Sequence, residues 1–496
     1  MKKSSLYRVL LSLLVVSSAA SKADGLFSAK DNSLFVPFVN YQGQTYQANF
    51  SILDSNKLQL NSALPRDDQP IYGSATLVDD NLNFNMQRIS FEGQLYNAKV
   101  TFQQDNIFLL ENIALADENL SSRGNIVDAT LVNEVSQAEF DFSISAYNFQ
   151  NGTNLNLQAT NDVQIYSVRY ETIDPAGQLT EASALVAFPT NVDKNYPLIA
   201  YQHGTEVLRD NAPSQKPNHM STLALAATGY AVVSADYLGL GESNSLHPYV
   251  HAHSLATAVI DALRTAKTLS SDKGVNLSGQ LFLIGYSEGG YATMVTHREL
   301  QRNYADEFTV TASAPMAGPY DLSGAMVERF FDDSPHPNPY YFPYTVLAYD
   351  QVYGFNDTLS DIFQAPYDQT ISGLFDGTHT SSEINDSIAE NRELFNQELY
   401  DQLGEGQISW RKAALTENDS YRWTPNSAMY LFHCTQDDQV PYQNTQVAFD
   451  YFQSIGATQV QLFAIDDASL NQSNVHSNCA IPLLLEGKSL FDALIE

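Results

Sequence analysis

Apolar and polar positions follow different periods in successive stretches of the chain. From about residue 30 to 118 they alternate, with Gly and Asn turn signals and little helical period, which predicts β structure. The pattern also repeats. Val39-Asn40-Tyr41-Gln42-Gly43-Gln44-Thr45-Tyr46-Gln47-Ala48 aligns with Ile89-Ser90-Phe91-Glu92-Gly93-Gln94-Leu95-Tyr96-Asn97-Ala98, and the runs 57–60 and 107–110 keep the same offset. Two copies of a hairpin-rich unit are expected to pack face to face, each burying the apolar side the other needs. Tyr41, Tyr46, Phe91 and Tyr96 read as core aromatics or as a binding strip.

A polar, Asn-rich stretch follows, from about 119 to 160, and then the pattern changes. Strands are predicted over 164–170 and 182–188, joined by the turn Asp174-Pro175-Ala176-Gly177, with Pro189 ending the second. Short apolar runs at 198–202, 231–235, 281–284 and 308–312 alternate with helical stretches such as 254–269. After a break over about 318–425 the alternation resumes: a strand at 428–432, a helix over 443–455, a strand at 460–464 and a last helix from about 481. Short strands alternating with helices predict a mostly parallel sheet covered by helices on both faces, whose reactive groups lie at the carboxyl ends of its strands. The break is aromatic at its start (Phe330, Phe331, Tyr340, Tyr341, Phe342, Tyr344) and predicts a cap or lid over a substrate pocket.

The strand at 281–284 runs into Gly285-Tyr286-Ser287-Glu288-Gly289, and a small-residue helix follows. A serine on so sharp a turn takes strained backbone geometry, and glycines two residues either side remove the Cβ atoms that would clash there. Ser287 is the candidate nucleophile, and the Glu288 N–H, at a helix N-terminus, is a candidate oxyanion donor. A serine hydroxyl needs a histidine base, and that base needs a carboxylate to orient it. Downstream, the strand at 428–432 leads into His433-Cys434-Thr435-Gln436-Asp437-Asp438, so Asp437 is the candidate acid and Asp438 its competitor. His476, the only histidine after that acid, is the candidate base, in a polar loop over 470–478. The second oxyanion donor is expected from His203-Gly204-Thr205, as the Thr205 N–H, with His203 structural. His247, His251 and His253 are too loosely spaced, and too poor in acidic neighbours, to predict a metal site. No cofactor is expected.

Composition narrows the setting. Lys plus Arg total 25 against 57 Asp plus Glu, a net charge of −32, which argues against nucleic acid as a partner because binding it needs clustered positive charge. Met1-Lys2-Lys3, an apolar run over 9–16 and Ser21-Lys22-Ala23 have the three regions of a secretory signal peptide, so export is expected. In an exported chain the only two cysteines, Cys434 and Cys479, predict one disulfide, tying the acid loop to the histidine loop. The expected organisation is a leader over 1–23, a β module over 24–118, an α/β core over 119–318 and 426–496, and a cap over 319–425. The module is read as structural or anchoring, with lipid-interface or cell-surface contact as its candidate partner role.

Taken in order, several segments resemble the α/β-hydrolase superfamily, and within it the secretory lipase-like branch. They are Tyr201-Gln202-His203-Gly204-Thr205, Ala235-Asp236-Tyr237-Leu238-Gly239-Leu240-Gly241, His247-Pro248-Tyr249, Gly285-Tyr286-Ser287-Glu288-Gly289-Gly290 and Asp437 through Val440-Pro441. The resemblance covers roughly 120–496 and implies hydrolysis of lipid or other acyl esters through an acyl-enzyme. Two other readings stay open: a serine peptidase holding a peptide amine with Glu288 or Glu328, and a surface adhesion protein whose hydrolase unit is silent.

Overall fold

The computed structural model describes residues 25–495 except 29–32, 42–43, 55–56, 67–75, 80–82, 92–93, 105–106, 116–121, 192, 355–357, 406–408 and 467–472. The leader expected over 1–23 lies outside the described residues, as do the side chains of Tyr41, Tyr46, Phe91 and Tyr96.

The N-terminal alternation becomes β1 (Gly25–Ser28), β2 (Ser33–Tyr41), β3 (Gln44–Asp54), β4 (Lys57–Arg66), β5 (Thr76–Asp79), β6 (Asn83–Phe91), β7 (Gln94–Gln104) and β8 (Ile107–Leu115). The two copies do not stack as separate sheets, as the repeat suggested. They merge into one eight-stranded sheet, ordered β1-β2-β3-β4-β8-β7-β6-β5. At the junction β4 runs antiparallel to β8 with Leu58 opposite Phe108, corresponding positions of the two copies. On the far side β1 lies parallel to β6 and closes the sheet on itself. Edge pairing satisfies backbone groups that two stacked sheets would leave open, and closure buries one shared interior. Ala48, Phe50, Leu58 and Leu60 and their counterparts Ala98, Val100, Phe108 and Leu110 fill it, with Phe50 and Phe108 edge to face at 5.6 Å.

The second sheet contains β9 (Ile126–Val135), β10 (Val163–Ile173), β11 (Leu179–Pro189), β12 (Asn195–Gln202), β13 (Ala231–Ala235), β14 (Asn276–Tyr286), β15 (Val310–Met316), β16 (Ala428–Cys434) and β17 (Val460–Ile465). Its order is β17-β16-β15-β14-β12-β13-β11-β10-β9. It is parallel from β13 to β17 and antiparallel across β9, β10, β11 and β13.

Helices α1 (Gln137–Asn151), α2 (Met220–Ala227), α3 (Ala252–Asp272) and α4 (Glu288–Asn303) accompany these strands. Between β15 and β16 come α5 (Ala325–Phe331), α6 (Tyr341–Tyr353), α7 (Leu359–Ile362), α8 (Tyr367–Leu374), α9 (Ser381–Ser387), α10 (Asn391–Leu394), α11 (Gln397–Leu403) and α12 (Trp410–Glu417). The chain closes with α13 (Gln443–Ser454) and α14 (Val475–Asp492). Leu255, Val259, Ala292 and Val295 of α3 and α4 pack on one sheet face, where Phe35 of the β module joins their core. Phe140, Leu223, Cys479, Leu483 and Phe491 of α1, α2 and α14 cover the other. Among the described residues no helix is long and apolar enough to cross a membrane.

Two elements depart from the sequence pattern. The polar stretch after 118 contains both β9 and α1, and α1 opens on a reciprocal capping box. There Ser136 Oγ accepts from the Glu139 N–H at 3.3 Å and Glu139 Oε2 from the Ser136 N–H at 2.9 Å. The last helix starts at Val475, so His476 sits in its first turn rather than in a loop. Pro482 lies inside the helix without ending it, and Asp438 Oδ1 accepts the His476 N–H at 3.0 Å, one of the donors a helix start leaves unpaired.

Candidate active site

The turn between β14 and α4 carries Ser287 at φ 62°, ψ −127°, a left-handed conformation that a residue with a Cβ adopts only under constraint. The constraint comes from both neighbours. A Cβ on Gly285 would lie 2.3 Å from the Gly289 carbonyl oxygen, and one on Gly289 would lie 2.0 Å from that of Gln202. The Ser287 N–H donates to Met316 O at 2.9 Å, anchoring the turn to β15. Among the described residues the Ser287 hydroxyl makes no capping hydrogen bond to α4, which it precedes.

His476 stands beside this turn: its ring centroid lies 4.9 Å from that of Tyr286, whose hydroxyl donates to His476 O at 2.6 Å. His476 Nδ1 is 2.6 Å from Asp437 Oδ2. The other carboxylate oxygen, Asp437 Oδ1, accepts the N–H groups of Gln439 and Val440, each at 2.9 Å. His433 Nε2 adds a contact of 3.3 Å to Oδ2. Burial alone raises the Asp437 carboxyl, but the facing His476 and the hydrogen bonds from His433 and His476 outweigh it. They hold the group well below the usual carboxylate range. Asp438, the competitor, touches the His476 backbone and not its ring. Cys434 and Cys479 form a disulfide that joins the end of β16 to α14 just past its first turn.

The loop after β12 runs past the serine, with the Cβ site of Gly204 3.7 Å from Ser287 Cβ. His203 points both ring nitrogens at carbonyl oxygens, Nδ1 to Gly204 at 2.7 Å and Nε2 to Asp236 at 3.2 Å, and stacks on Tyr237. Thr205 Oγ1 is 3.1 Å from the Tyr249 hydroxyl.

The three upstream histidines do different things. His247 Nε2 is 2.7 Å from Glu288 Oε1, and His251 Nδ1 is 2.7 Å from Ser254 Oγ with burial pushing it down to about 3. His253 is buried in the first turn of α3. Among the described residues no group of three or more His, Cys, Asp or Glu side chains is arranged to hold a metal.

Helix α6 grips the surrounding loops. Tyr341 donates to Gln439 Oε1 at 2.8 Å, Tyr344 to Glu206 O at 3.2 Å and Tyr349 to Val250 O at 3.0 Å. Beside it an apolar pocket encloses about 710 Å³ of empty space, mouth included, lined by Tyr249, Leu322, Met326, Phe330, Tyr341 and Tyr349 among others. Tyr249 and Tyr341 are also the residues hydrogen-bonded to Thr205 and to Gln439 in the loop that carries Asp437.

Sequence reasoning missed the Glu288 carboxylate's partner His247, the second histidine on Asp437 and the Tyr286 hydroxyl. Only His433 carried a local signal, since it lies four residues before the acid.

The sheet order, the strand-turn-helix at Ser287 and the loops gathered at the carboxyl ends of β12, β14 and β16 are those of the α/β-hydrolase fold. The secretory lipase family model matches residues 214–333. Among solved structures the chain is similar to the rice cell wall degrading esterase LipA from Xanthomonas oryzae. The two are 27% identical with a TM-score of 0.68, over 75% of this chain and 99% of that one. It is also similar to a candidate hydrolase from Legionella pneumophila, 29% identical with a TM-score of 0.67, over 74% of this chain and 97% of that one. Lipase A from Candida antarctica, 16% identical with a TM-score of 0.50 over 70% and 77% of the two chains, shares the fold. No curated protein matches. The fold and these likenesses to a secretory lipase model and to an esterase support a hydrolase of lipase or esterase type.

Proposed function

We propose that this protein is an exported serine carboxylic ester hydrolase acting on acyl or lipid esters through an acyl-enzyme. The observation that carries the proposal is the 2.6 Å contact between Asp437 and His476 Nδ1, with the His476 ring packed against the residue before Ser287. A carboxylate on Nδ1 holds the proton there and leaves Nε2 free to accept one. Ser287 Oγ attacks the ester carbonyl as its proton passes to His476 Nε2. The Glu288 and Thr205 N–H groups hold the oxyanion, and His476 returns the proton to the departing alcohol. Water then repeats the sequence and frees the acid. The serine–histidine hydrogen bond belongs to the loaded site, since such contacts tighten when substrate binds. The pocket beside α6 takes the acyl group, with the insertion between β15 and β16 as its cap. Export is supported by the leader-like residues 1–23 and by the disulfide.

The peptidase reading needs a free carboxylate for a peptide amine. Glu288 is buried on His247 and Glu328 is exposed, so neither supports it. The test is a panel of p-nitrophenyl esters from acetate to palmitate, with Ser287→Ala as control. Turnover that disappears in the variant supports the proposal, and its chain-length profile separates lipase from short-chain esterase. Turnover on aminoacyl anilides alone would move the assignment to a peptidase. Removal of residues 24–118 should leave ester turnover in place, and would abolish the protein's role if the β module alone did the work.

A further inference from the structure

The loop leading into α3 reaches both proposed oxyanion donors. His247 Nε2 lies 2.7 Å from Glu288 Oε1 with both side chains buried, and two residues on, the Tyr249 hydroxyl lies 3.1 Å from Thr205 Oγ1. The loop itself is clamped. A Cβ on Gly239, at φ 81°, would lie 2.3 Å from the His247 nitrogen, so only glycine lets the two segments approach. Tyr344 stacks on the Tyr249 ring at 4.6 Å, and Tyr349 donates to Val250 O at 3.0 Å.

We propose that His247-Pro248-Tyr249 is the positioning element of the oxyanion hole, with His247 fixing Glu288 and Tyr249 fixing Thr205, so that one loop sets the separation of the two amides. The inference rests on the ester-hydrolase reading above. Oxyanion donors work because they are aimed before the charge develops, and a misplacement of about 1 Å costs on the order of 100-fold. Glu288 opens the helix after β14 and Thr205 lies in the loop after β12, so a shared brace limits independent motion between them.

Proton accounting gives the histidine a second task. His247 Nδ1 is 2.7 Å from Leu238 O, an acceptor only, so Nδ1 carries a hydrogen. Nε2 faces a carboxylate oxygen, so one further proton lies between His247 and Glu288. The pair is neutral whichever side holds that proton. A bare carboxylate one residue past Ser287 would oppose the oxyanion, and the His247 contact offsets that charge.

The test is steady-state kinetics on p-nitrophenyl butyrate. Tyr249→Phe deletes a single hydroxyl and should lower kcat about 10- to 100-fold with KM within about two-fold. Thr205→Val removes the other end of the same bond and should match it, and the double variant should be no worse than either single. Glu288→Gln, which keeps a hydrogen-bonded partner for His247, should lower kcat less than Glu288→Ala does. A Tyr249→Phe enzyme within two-fold of wild type, an effect confined to KM, or additive losses in the double variant would each overturn the brace. Ser287→Ala run alongside separates the two claims. If it keeps turnover the hydrolase reading fails, and if it loses turnover while Tyr249→Phe is unaffected only the brace fails.

Discussion

Asp437→Asn is the most informative single change, because the surroundings dictate how the new side chain must sit. Asp437 Oδ1 accepts two backbone N–H groups, from Gln439 and Val440, each at 2.9 Å. An asparagine has one carbonyl oxygen, and leaving two buried N–H donors facing an NH2 group would cost about 1–3 kcal/mol for each. The oxygen therefore stays on the amides and the NH2 group turns to His476 Nδ1, 2.6 Å away. A donor at that position drives the imidazole proton to Nε2, the nitrogen that accepts from Ser287 in the proposed mechanism. Backbone, packing and charge-independent hydrogen bonds are kept, yet the base is blocked. Loss of the correct tautomer costs roughly 10⁴-fold in kcat, about 5.5 kcal/mol of barrier. Asp438→Asn leaves an oxygen for the His476 N–H and should stay within about three-fold. The assay is kcat on p-nitrophenyl butyrate for both variants, with circular dichroism to confirm folding. A folded Asp437→Asn enzyme within ten-fold of wild type, or an Asp438→Asn enzyme that is the more damaged, would refute the reasoning.

Other consequences are equally direct. Gly289→Ala places a Cβ 2.0 Å from Gln202 O, and the end of β12 must move with the loop it carries, so kcat should fall at least about 100-fold and the melting temperature should drop. Replacing Cys434 and Cys479 by serine opens a loop of 45 residues and should cost about 4 kcal/mol in urea unfolding, with a loss within 1 kcal/mol contradicting a structural role. Asp437 is held below its ordinary value in the folded state, so its contribution to stability is present above about pH 4 and lost as pH falls through the folded value. Unfolding free energy should therefore decline more between pH 5 and pH 3 in wild type than in Asp437→Asn, and equal declines would contradict it.

What could be read from the chain was whatever local spacing encodes. The glycines around Ser287 announce the turn because no other residue fits against Gln202 and Gly289. Two cysteines allow one pairing, and the structure has it. Alternation marked the β repeats, but not how the copies meet, because pairing of β4 with β8 and β1 with β6 joins residues far apart in sequence. The same limit hid the contacts of His247 with Glu288 and Tyr249 with Thr205. Helix α1 was legible in principle, since Ser136-Gln137-Ala138-Glu139 is a capping box, but its polar surroundings masked it. The start of α14 was not, since it is held by Asp438 and the disulfide rather than by its own composition.

The central claim is that Ser287 forms the covalent bond to substrate. Intact-protein and peptide mass spectrometry after treatment with a p-nitrophenyl alkylphosphonate measures that bond. The account predicts one adduct per chain, on the peptide containing Ser287, formed at a rate that collapses in Asp437→Asn and His476→Ala. An adduct on any other residue, or none on a chain that still hydrolyses esters, would contradict it.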